Sequence, residues 1–521
     1  MNRYLYFTVF FSGMTTLAIE FSASRLLERV FGVSNLVWAS IIGLILIYLT
    51  LGYFLGGRWA DRSPHAKTMY GVLAWGAFTS GLVPLVAQPF LRPAADAFDQ
   101  LNIGLLLGSF IAALVLLCVP VTLLGTISPF AIRLAITDTQ TAGQISGRIY
   151  AISTLGSFIG TFLPVLVLIP LVGTNYTFLV FSSLLLLVAL VGLQQAVGWR
   201  RLLPWLIMPL VFIVEAILLA GDPIKTTPGQ IYETESAYNY IQVLESDGYR
   251  YLRLNEGQGV HSEWNPTTLD YNGPWEQFLA APFFNPAPFE PEQVNSMAIV
   301  GLAGGTVARQ ATAVFGPIPI DGYEIDPAII KVGQKYFGMT MPNLIPIAQD
   351  GRWGLEHNSS RYSIIAVDAY RPPYIPWHLT TREFFQIVHD HLTDDGAMAI
   401  NVGRSPTDRR LIDALVGTIS TVFPSIYVMD VPESFNSMIY ATIQPTQLEN
   451  LYHNLMSLYS RKDVHPLLVA SLERVVMYQQ PTPASQVVFT DDWAPIEWIT
   501  NRMVLSYVLF GDIEELQGTG Q

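Results

Sequence analysis

Residues 297–324 read MAIVGLAGGTVARQATAVFGPIPIDGYE: an apolar run, a glycine-rich turn, a helix-patterned stretch, and a second run ending on a carboxylate. Short apolar runs between helical stretches are the pattern of buried parallel strands. Gly301, Gly304 and Gly305 supply the turn, because glycine lets the chain bend sharply from strand to helix and approach a ligand closely. Ala303 stands where one further glycine of a dinucleotide fingerprint would be, so the turn alone does not specify a nucleotide. Glu324 lies 23 residues after Gly301, at the end of the second run, where a carboxylate can hold ribose hydroxyls.

Outward from this unit the alternation continues through AIIKVGQKYFG, LIPIAQD and SIIAVDAY. Asp350-Gly351 follows the third run and Asp368 the fourth. A doubly wound, Rossmann-like sheet binds ligands at the carboxyl ends of its strands, and all four signals fall there. Each acid taken singly also fits a helix cap or turn; the ordered set is what points to a ligand site.

Upstream, IYETESAYNYIQVLES and YRYLRLNEGQGVHSEW alternate polar and apolar residues around Asp247-Gly248, a strong hairpin dipeptide, and predict a small antiparallel β-domain over residues 223–292. Residues 293–521 form the predicted Rossmann-like domain, and residues 1–222 a third region of different character.

The chain is 51% hydrophobic and only 13% charged, an excess that must be localised. Seven apolar stretches of spanning length fill 4–24, 36–57, 69–90, 104–132, 148–172, 176–197 and 202–220. About 20 helical residues cross the hydrocarbon of a bilayer, so a multi-pass helical bundle is expected, with the lipid bilayer as partner. The first stretch lacks a small-residue cleavage site and is read as a span, not a signal peptide.

Arg58, Arg62, Lys67, Arg133, Arg148, Arg200 and Arg201 fall in one set of loops, and Arg25, Arg29 and Arg92 in the other. The positive-inside rule then puts the N-terminus in the cytoplasm of a plasma (inner) membrane protein. Seven spans would leave the remainder outside, whereas an intracellular cofactor requires it inside. A break in 104–136 near Pro120 or Pro129, giving eight spans, would reconcile the two. Glu20, Arg25 and Glu215 are ionisable residues within the apolar stretches. They read either as bundle-pairing and snorkelling groups or as groups that admit a cationic or lipid substrate.

Residues 1–222 carry 11 Lys and Arg against 8 Asp and Glu, and the remainder 17 against 33. That acidic balance disfavours nucleic acid, whose phosphates need Lys and Arg. The lone Cys118 excludes a disulfide framework, and scattered histidines give no metal-binding spacing, so no metal is expected.

The motifs ESAYNYIQV, VGLAGGTVAR, YEIDP, AQDGR, VDAYRPPYIPWHLTTREFF, LTDDGAMAINV and FTDDWAPIE together resemble the spermidine synthases, the polyamine aminopropyltransferases, over roughly residues 230–405. FSGMTTLAIEFSASRLL and GYFLGGRWADR more loosely resemble the branch fused to a membrane segment. The resemblance implies a decarboxylated S-adenosylmethionine or S-adenosylmethionine cofactor. Glu324 would bind its ribose, Asp350 with Gly351 its adenine side, and Asn239 and His261 would stand where the family has cofactor-binding glutamines. Asp368 matches the family's general base, with Tyr370 beside it.

The sequence departs from the family at two acidic positions. Spermidine-making enzymes carry GGGDG at the first turn, where Gly304 replaces the Asp, and a D-S-T-D pattern where this chain has Asp-Ala-Tyr-Arg. A buried ammonium needs a paired charge, so a diamine loses its obvious seats. Tyr238, Tyr370, Tyr374, Trp377 and His378 are candidate lining of a replacement pocket, since aromatic faces accept cations; helix packing is the plainer role for them. Asp491, Asp492 and Glu497 read as an acidic lid or as solvated turn residues.

The leading expectation is an aminopropyl-type transfer to an amine acceptor. The alternatives are an S-adenosylmethionine-dependent transferase acting on a membrane lipid or amphiphile, and an amine transporter or sensor with a non-catalytic ligand domain. A homo-oligomer is compatible with each.

Overall fold

The computed structural model describes residues 2–31, 35–89, 91, 103–136, 138–220, 225, 227–255, 259–370, 374–405 and 408–510. Arg92 and Arg371, used above, lie outside the described residues. The chain divides into two compact units, Met1–Gln242 with Leu254–Gln258 and Val243–Arg253 with Gly259–Gln521.

Among the described residues of the first unit, five helices are long and apolar enough to cross a membrane, or six if the bent pair Ala66–Gly81 and Val83–Pro89 is one span. The expected spans 148–172 and 176–197 fall in the 56-residue helical stretch Ala142–Val197, which holds two helices meeting at a kink between the two expected spans. The stretch is interrupted at Gly173, whose φ of 80° and ψ of 167° are not helical. Within 104–136, Pro120 lies inside the helix Ile103–Gly125 and Thr126 separates that helix from Ile127–Ala135, although Leu114–Ala135 makes a single crossing length.

Small residues set the helix contacts. A Cβ on Gly156 or Gly160 would meet the backbone of Phe10 or Met14 at 2.1 and 2.0 Å, so the helix Asn2–Phe31 packs backbone to backbone on the helix that carries them. Glu20 is half-buried and Glu215 is 1% exposed. Arg25 faces Glu28 one turn on, at 3.1 Å.

Strands β1 (Gln230–Glu235), β2 (Tyr240–Ser246), β3 (Tyr249–Leu254) and β4 (Val260–Trp264) form a four-stranded sheet in that order. Each of the two predicted hairpin arms is thus two strands, because Ser236–Asn239 turns the first arm and the chain after Leu254 turns the second. Asp247 and Gly248 have φ of 53° and 81°, the doubly positive pair that a tight primed hairpin turn requires.

The second unit is built on an eight-stranded sheet: β12 (Gln479–Gln480), β10 (Ser425–Asp430), β11 (Asn436–Thr442), β9 (Leu392–Gly403), β8 (Tyr362–Val367), β5 (Met297–Val300), β6 (Ile320–Tyr323) and β7 (Leu344–Ile347), in that spatial order. The pairs β9–β8, β8–β5, β5–β6 and β6–β7 are parallel, while β11, β10 and β12 add on antiparallel. Met297, Ile299, Ile364 and Ala366 enter one buried cluster and Ala298, Val300, Ile365 and Val367 the other. The central strands are therefore buried on both faces, as their unbroken apolar runs predicted. This is a Rossmann-like sheet of the methyltransferase type, and its strand order reverses at β5, between β6 and β8. The region after residue 445, unread in the sequence, supplies the helices Leu448–Tyr459, Pro466–Tyr478 and Ile496–Phe510.

Candidate active site at the carboxyl edge of the sheet

The reversal at β5 opens a crevice at the carboxyl ends of the strands, the general ligand position of such sheets. Gly301 leaves β5 at φ 94°, and a Cβ there would meet the Asp368 carbonyl oxygen at 2.4 Å. Only glycine permits this approach, so the turn after β5 and the end of β8 touch through their backbones. The Asp368 N–H donates to the Val300 carbonyl at 2.8 Å, which fixes the start of the loop bearing the carboxylate.

Ala303 sits at φ 48°, in the left-handed region that non-glycine residues seldom occupy. Its N–H donates to Glu324 Oε2 at 3.0 Å, and the Asp326 N–H donates to Glu324 Oε1 at the same distance. Glu324 thus braces the glycine-rich turn and keeps a free lone pair on each oxygen. Burial pushes its carboxyl up to about 7 against the pull of these two N–H groups.

Gly304 is closed off from within the unit. Its N–H donates to Ser262 Oγ at 2.7 Å, and a Cβ would meet Ser262 Cβ at 2.9 Å. Gly305, at φ 82°, opens the helix Thr306–Phe315. His261, next to Ser262 on β4, has a buried Nε2 without a hydrogen-bond partner, and burial pushes its imidazole down to about 4. A neutral ring results.

Asp350 caps the helix Gly351–Glu356 through Trp353 N at 3.0 Å, and its other oxygen lies 2.8 Å from His378 Nε2. Burial raises the Asp350 carboxyl, but these contacts outweigh it and hold the group below its ordinary range. A Cβ on Gly351 would strike Val300 Cγ1 at 2.5 Å, so this turn also packs onto the end of β5.

Asp368 is pushed up to about 6 by burial, opposed by one bond: Asn401 Nδ2, from β9, donates to its Oδ1 at 2.9 Å. Tyr370 lies beside it, its buried hydroxyl without a partner by hydrogen-bond geometry and its phenol raised by burial and by Asp368. Gly301, Glu324, Asp350 and Asp368 accordingly follow four adjacent strands, β5, β6, β7 and β8.

Other predicted residues lie elsewhere. Tyr374 is buried in the core, and its hydroxyl donates to Asn501 at 2.5 Å, so packing rather than pocket lining describes it. Trp377 is about half exposed. Tyr238 and Asn239 belong to the first unit, where Asn239 Oδ1 accepts from Asn255 Nδ2 at 3.0 Å. Of the proposed acidic lid, Asp491 is held by Arg352 in a two-pronged pair at 2.7 and 2.6 Å and by Thr381 at 2.7 Å. That is a clasp, not a free acid.

Asn401 and Ser262 went unremarked in the sequence. The end of LTDDGAMAINV, one more apolar run closing on a polar residue, is the signal that would have found Asn401.

No protein-family model matches the chain. It is 30% identical to a probable polyamine aminopropyl transferase of Bifidobacterium longum over 285 residues, 51% of this chain and 61% of that protein. It is 27% identical to the polyamine aminopropyltransferase of Vibrio vulnificus over 42% of this chain and 73% of that one. It is also 22% identical to the polyamine aminopropyltransferase of Oceanobacillus iheyensis over 456 residues, 81% of this chain and 84% of its relative. The chain thus matches about three fifths of the Bifidobacterium relative's length and more of the other two. With a methyltransferase-type sheet and relatives that share one name, the chain is similar to the spermidine synthase-like family.

Proposed function

We propose that this chain is a membrane-anchored transferase that moves an aminopropyl or related group from an S-adenosyl sulfonium donor to an amine, with Asp368 as general base. The single observation that carries the reading is the Asp368 carboxyl, raised to about 6 and tethered by Asn401 at the point where the sheet order reverses. At neutral pH it is ionised yet basic enough to take a proton, the balance a general base needs.

The residues present suit such a donor. Glu324 has lone pairs left for ribose hydroxyls, Asp350 has one for an N–H, and the neutral His261 keeps an unpaired buried nitrogen. Bound, the donor supplies a carbon activated by positive sulfur. Asp368 orients the attacking amine through its N–H and accepts its proton as the new C–N bond forms and the C–S bond breaks, the electron pair leaving with sulfur as a neutral thioether. Tyr370 and the neighbouring apolar residues keep water from the carboxylate, which sustains its basicity.

We assign the apolar helices of residues 1–222 to a bilayer and the remainder to its cytoplasmic side, where such donors are made. The match to the Oceanobacillus relative over 81% of the chain is longer than residues 223–521 can supply, which favours the membrane-fused branch. The decisive assay incubates the purified full chain with decarboxylated or intact S-adenosylmethionine and an amine panel. New amine products by mass spectrometry, lost in Asp368→Asn, support the reading; absence of turnover and of nucleoside binding ends it.

Transfer to a membrane amphiphile is the second reading. Gly304 occupies the position of the family's substrate-binding acid and Ser262 covers it, so a diamine's second ammonium has no carboxylate at that turn. Product found only in the lipid extract of that assay would select this reading.

A further inference from the structure

Asp350 follows β7 in the second unit, and its carboxylate is fixed from two elements of that unit. Oδ1 accepts from the Trp353 N–H at 3.0 Å, within the helix that Asp350 caps, and Oδ2 lies 2.8 Å from His378 Nε2. Burial raises this carboxyl, but its contacts hold it below the ordinary range, so at neutral pH it is ionised and can only accept. Nε2 of His378 therefore carries a proton and donates it to Oδ2, which leaves Nδ1 of the neutral ring as an acceptor.

His378 is itself held in place. Its carbonyl oxygen accepts from Arg352 Nη1 at 3.0 Å, and that guanidinium is fixed by both oxygens of Asp491. Trp377 sits edge-on to the imidazole, with ring centroids 5.8 Å apart at 78°. Arg352 stands two residues beyond Asp350. The short helical turn Trp377–Leu379 and the helix Gly351–Glu356 are thus tied twice, through ring and carboxylate and through guanidinium and carbonyl.

The side chains of His378 and Asp350 are 31% and 32% exposed. A polar pair so open to water adds little to stability, so the consequence of the contact lies with what approaches the carboxylate. His378 spends its N–H on Asp350, and the pair is left with acceptors alone, a lone pair on Oδ2 and Nδ1. A purine with a 6-amino group offers an N–H to such a surface, whereas a 6-oxo purine offers an oxygen that it repels. We propose that His378 is a positioning residue that makes this site specific for a 6-amino purine: its bond to Oδ2 keeps the Asp350 carboxylate turned to accept the exocyclic N–H of the donor's base and leaves no N–H or O–H for a 6-oxo group. The inference rests on the transferase reading, which puts the base of an S-adenosyl donor beside Asp350.

The test measures, by calorimetry on the full chain in lipid nanodiscs, the Kd of methylthioadenosine and of methylthioinosine, its 6-oxo counterpart. Wild type is compared with His378→Leu, His378→Ala, His378→Gln, Asp350→Ala and Asp491→Asn. The quantity read is the ratio of the two Kd values, because a merely structural loss weakens both nucleosides alike. Wild type should prefer the 6-amino nucleoside by about 100-fold, and His378→Leu and His378→Ala should each lower that ratio about tenfold, the worth of one bond to a charged group. His378→Gln, which keeps an N–H donor, should retain most of the ratio. Asp491→Asn, which loosens the backbone tie and spares the ring, should leave it unchanged. A ratio unmoved in His378→Leu and His378→Ala, or lost equally in Asp491→Asn, overturns the positioning role and leaves the transferase reading standing. A ratio kept in Asp350→Ala overturns it as well, since the base is then read elsewhere. A wild-type chain that binds neither nucleoside overturns the transferase reading, and this inference with it.

Discussion

Asn401 Nδ2 lies 2.9 Å from Asp368 Oδ1, so the end of β9 holds the carboxylate that closes β8. Among the described residues this amide N–H is the one side-chain bond opposing the burial that raises Asp368, and it favours the charged form.

Replacement of Asn401 by Leu therefore raises the Asp368 pKa further. Turnover should rise with pH through about 6 in the wild-type enzyme, and this limb should move to higher pH by roughly one unit in Asn401→Leu. The measurement is the pH profile of kcat/KM; an unmoved limb would separate Asp368 from the titrating group.

Asp368→Asn tests the base directly. Turnover should fall by about 10²–10⁴ while methylthioadenosine still binds. Stability has its own sign. A carboxyl raised in the folded state contributes stability below its unfolded value near 4, which is lost as pH rises through about 6. Asp368→Asn should thus melt higher than wild type at pH 7.5 and lose that advantage at pH 4.

Restoring the acid of spermidine-making enzymes by Gly304→Asp should fail as a single change. Its Cβ would press on Ser262 Cβ at 2.9 Å and Phe337 Cγ at 3.1 Å, an overpacking that costs about 1–3 kcal/mol. A lowered Tm without gained putrescine turnover is expected; Ser262→Gly in the same chain should recover part of the Tm.

Glu324→Ala removes the acceptor of both the Ala303 and Asp326 N–H groups. Nucleoside binding should weaken by at least 10-fold and stability drop by about 2–6 kcal/mol, at 1–3 kcal/mol for each of the two unmet buried groups. Calorimetry and thermal melts on one preparation read both; intact affinity would remove Glu324 from the donor site.

The Arg352–Asp491 clasp depresses the Asp491 carboxyl through the guanidinium bonds first, despite some burial. Its stabilisation is present above the unfolded value and is lost as pH falls through the lower folded value. Asp491 is 39% exposed, so solvent screens the pair and Asp491→Asn should cost about 1 kcal/mol or less. Faster proteolysis near residues 486–497 at neutral pH would register it.

Local chemistry made part of this protein readable from its residues. Unbroken apolar runs marked β5 to β8, because parallel strands buried on both faces need no polar alternation. Gly301 and the carboxylates Glu324, Asp350 and Asp368 could be placed at strand ends by spacing alone. Apolar length marked the helices long enough to cross a membrane, since the hydrocarbon thickness sets that length.

Tertiary structure decided what depends on partners far apart in the chain. Asn401 and Asp368 are 33 residues apart, and Asp350 and His378 are 28 apart; both pairs meet only because the sheet order places their strand ends on one edge. Tyr374 was open to either packing or pocket lining, and its bond to Asn501, 127 positions away, places it in packing. The non-helical backbone at Gly173 and the grip of Arg25 on Ser236 and Tyr238 likewise belong to packing. Periodicity reports which face of an element is buried; it carries no record of which distant group will neutralise, bond or close over a side chain.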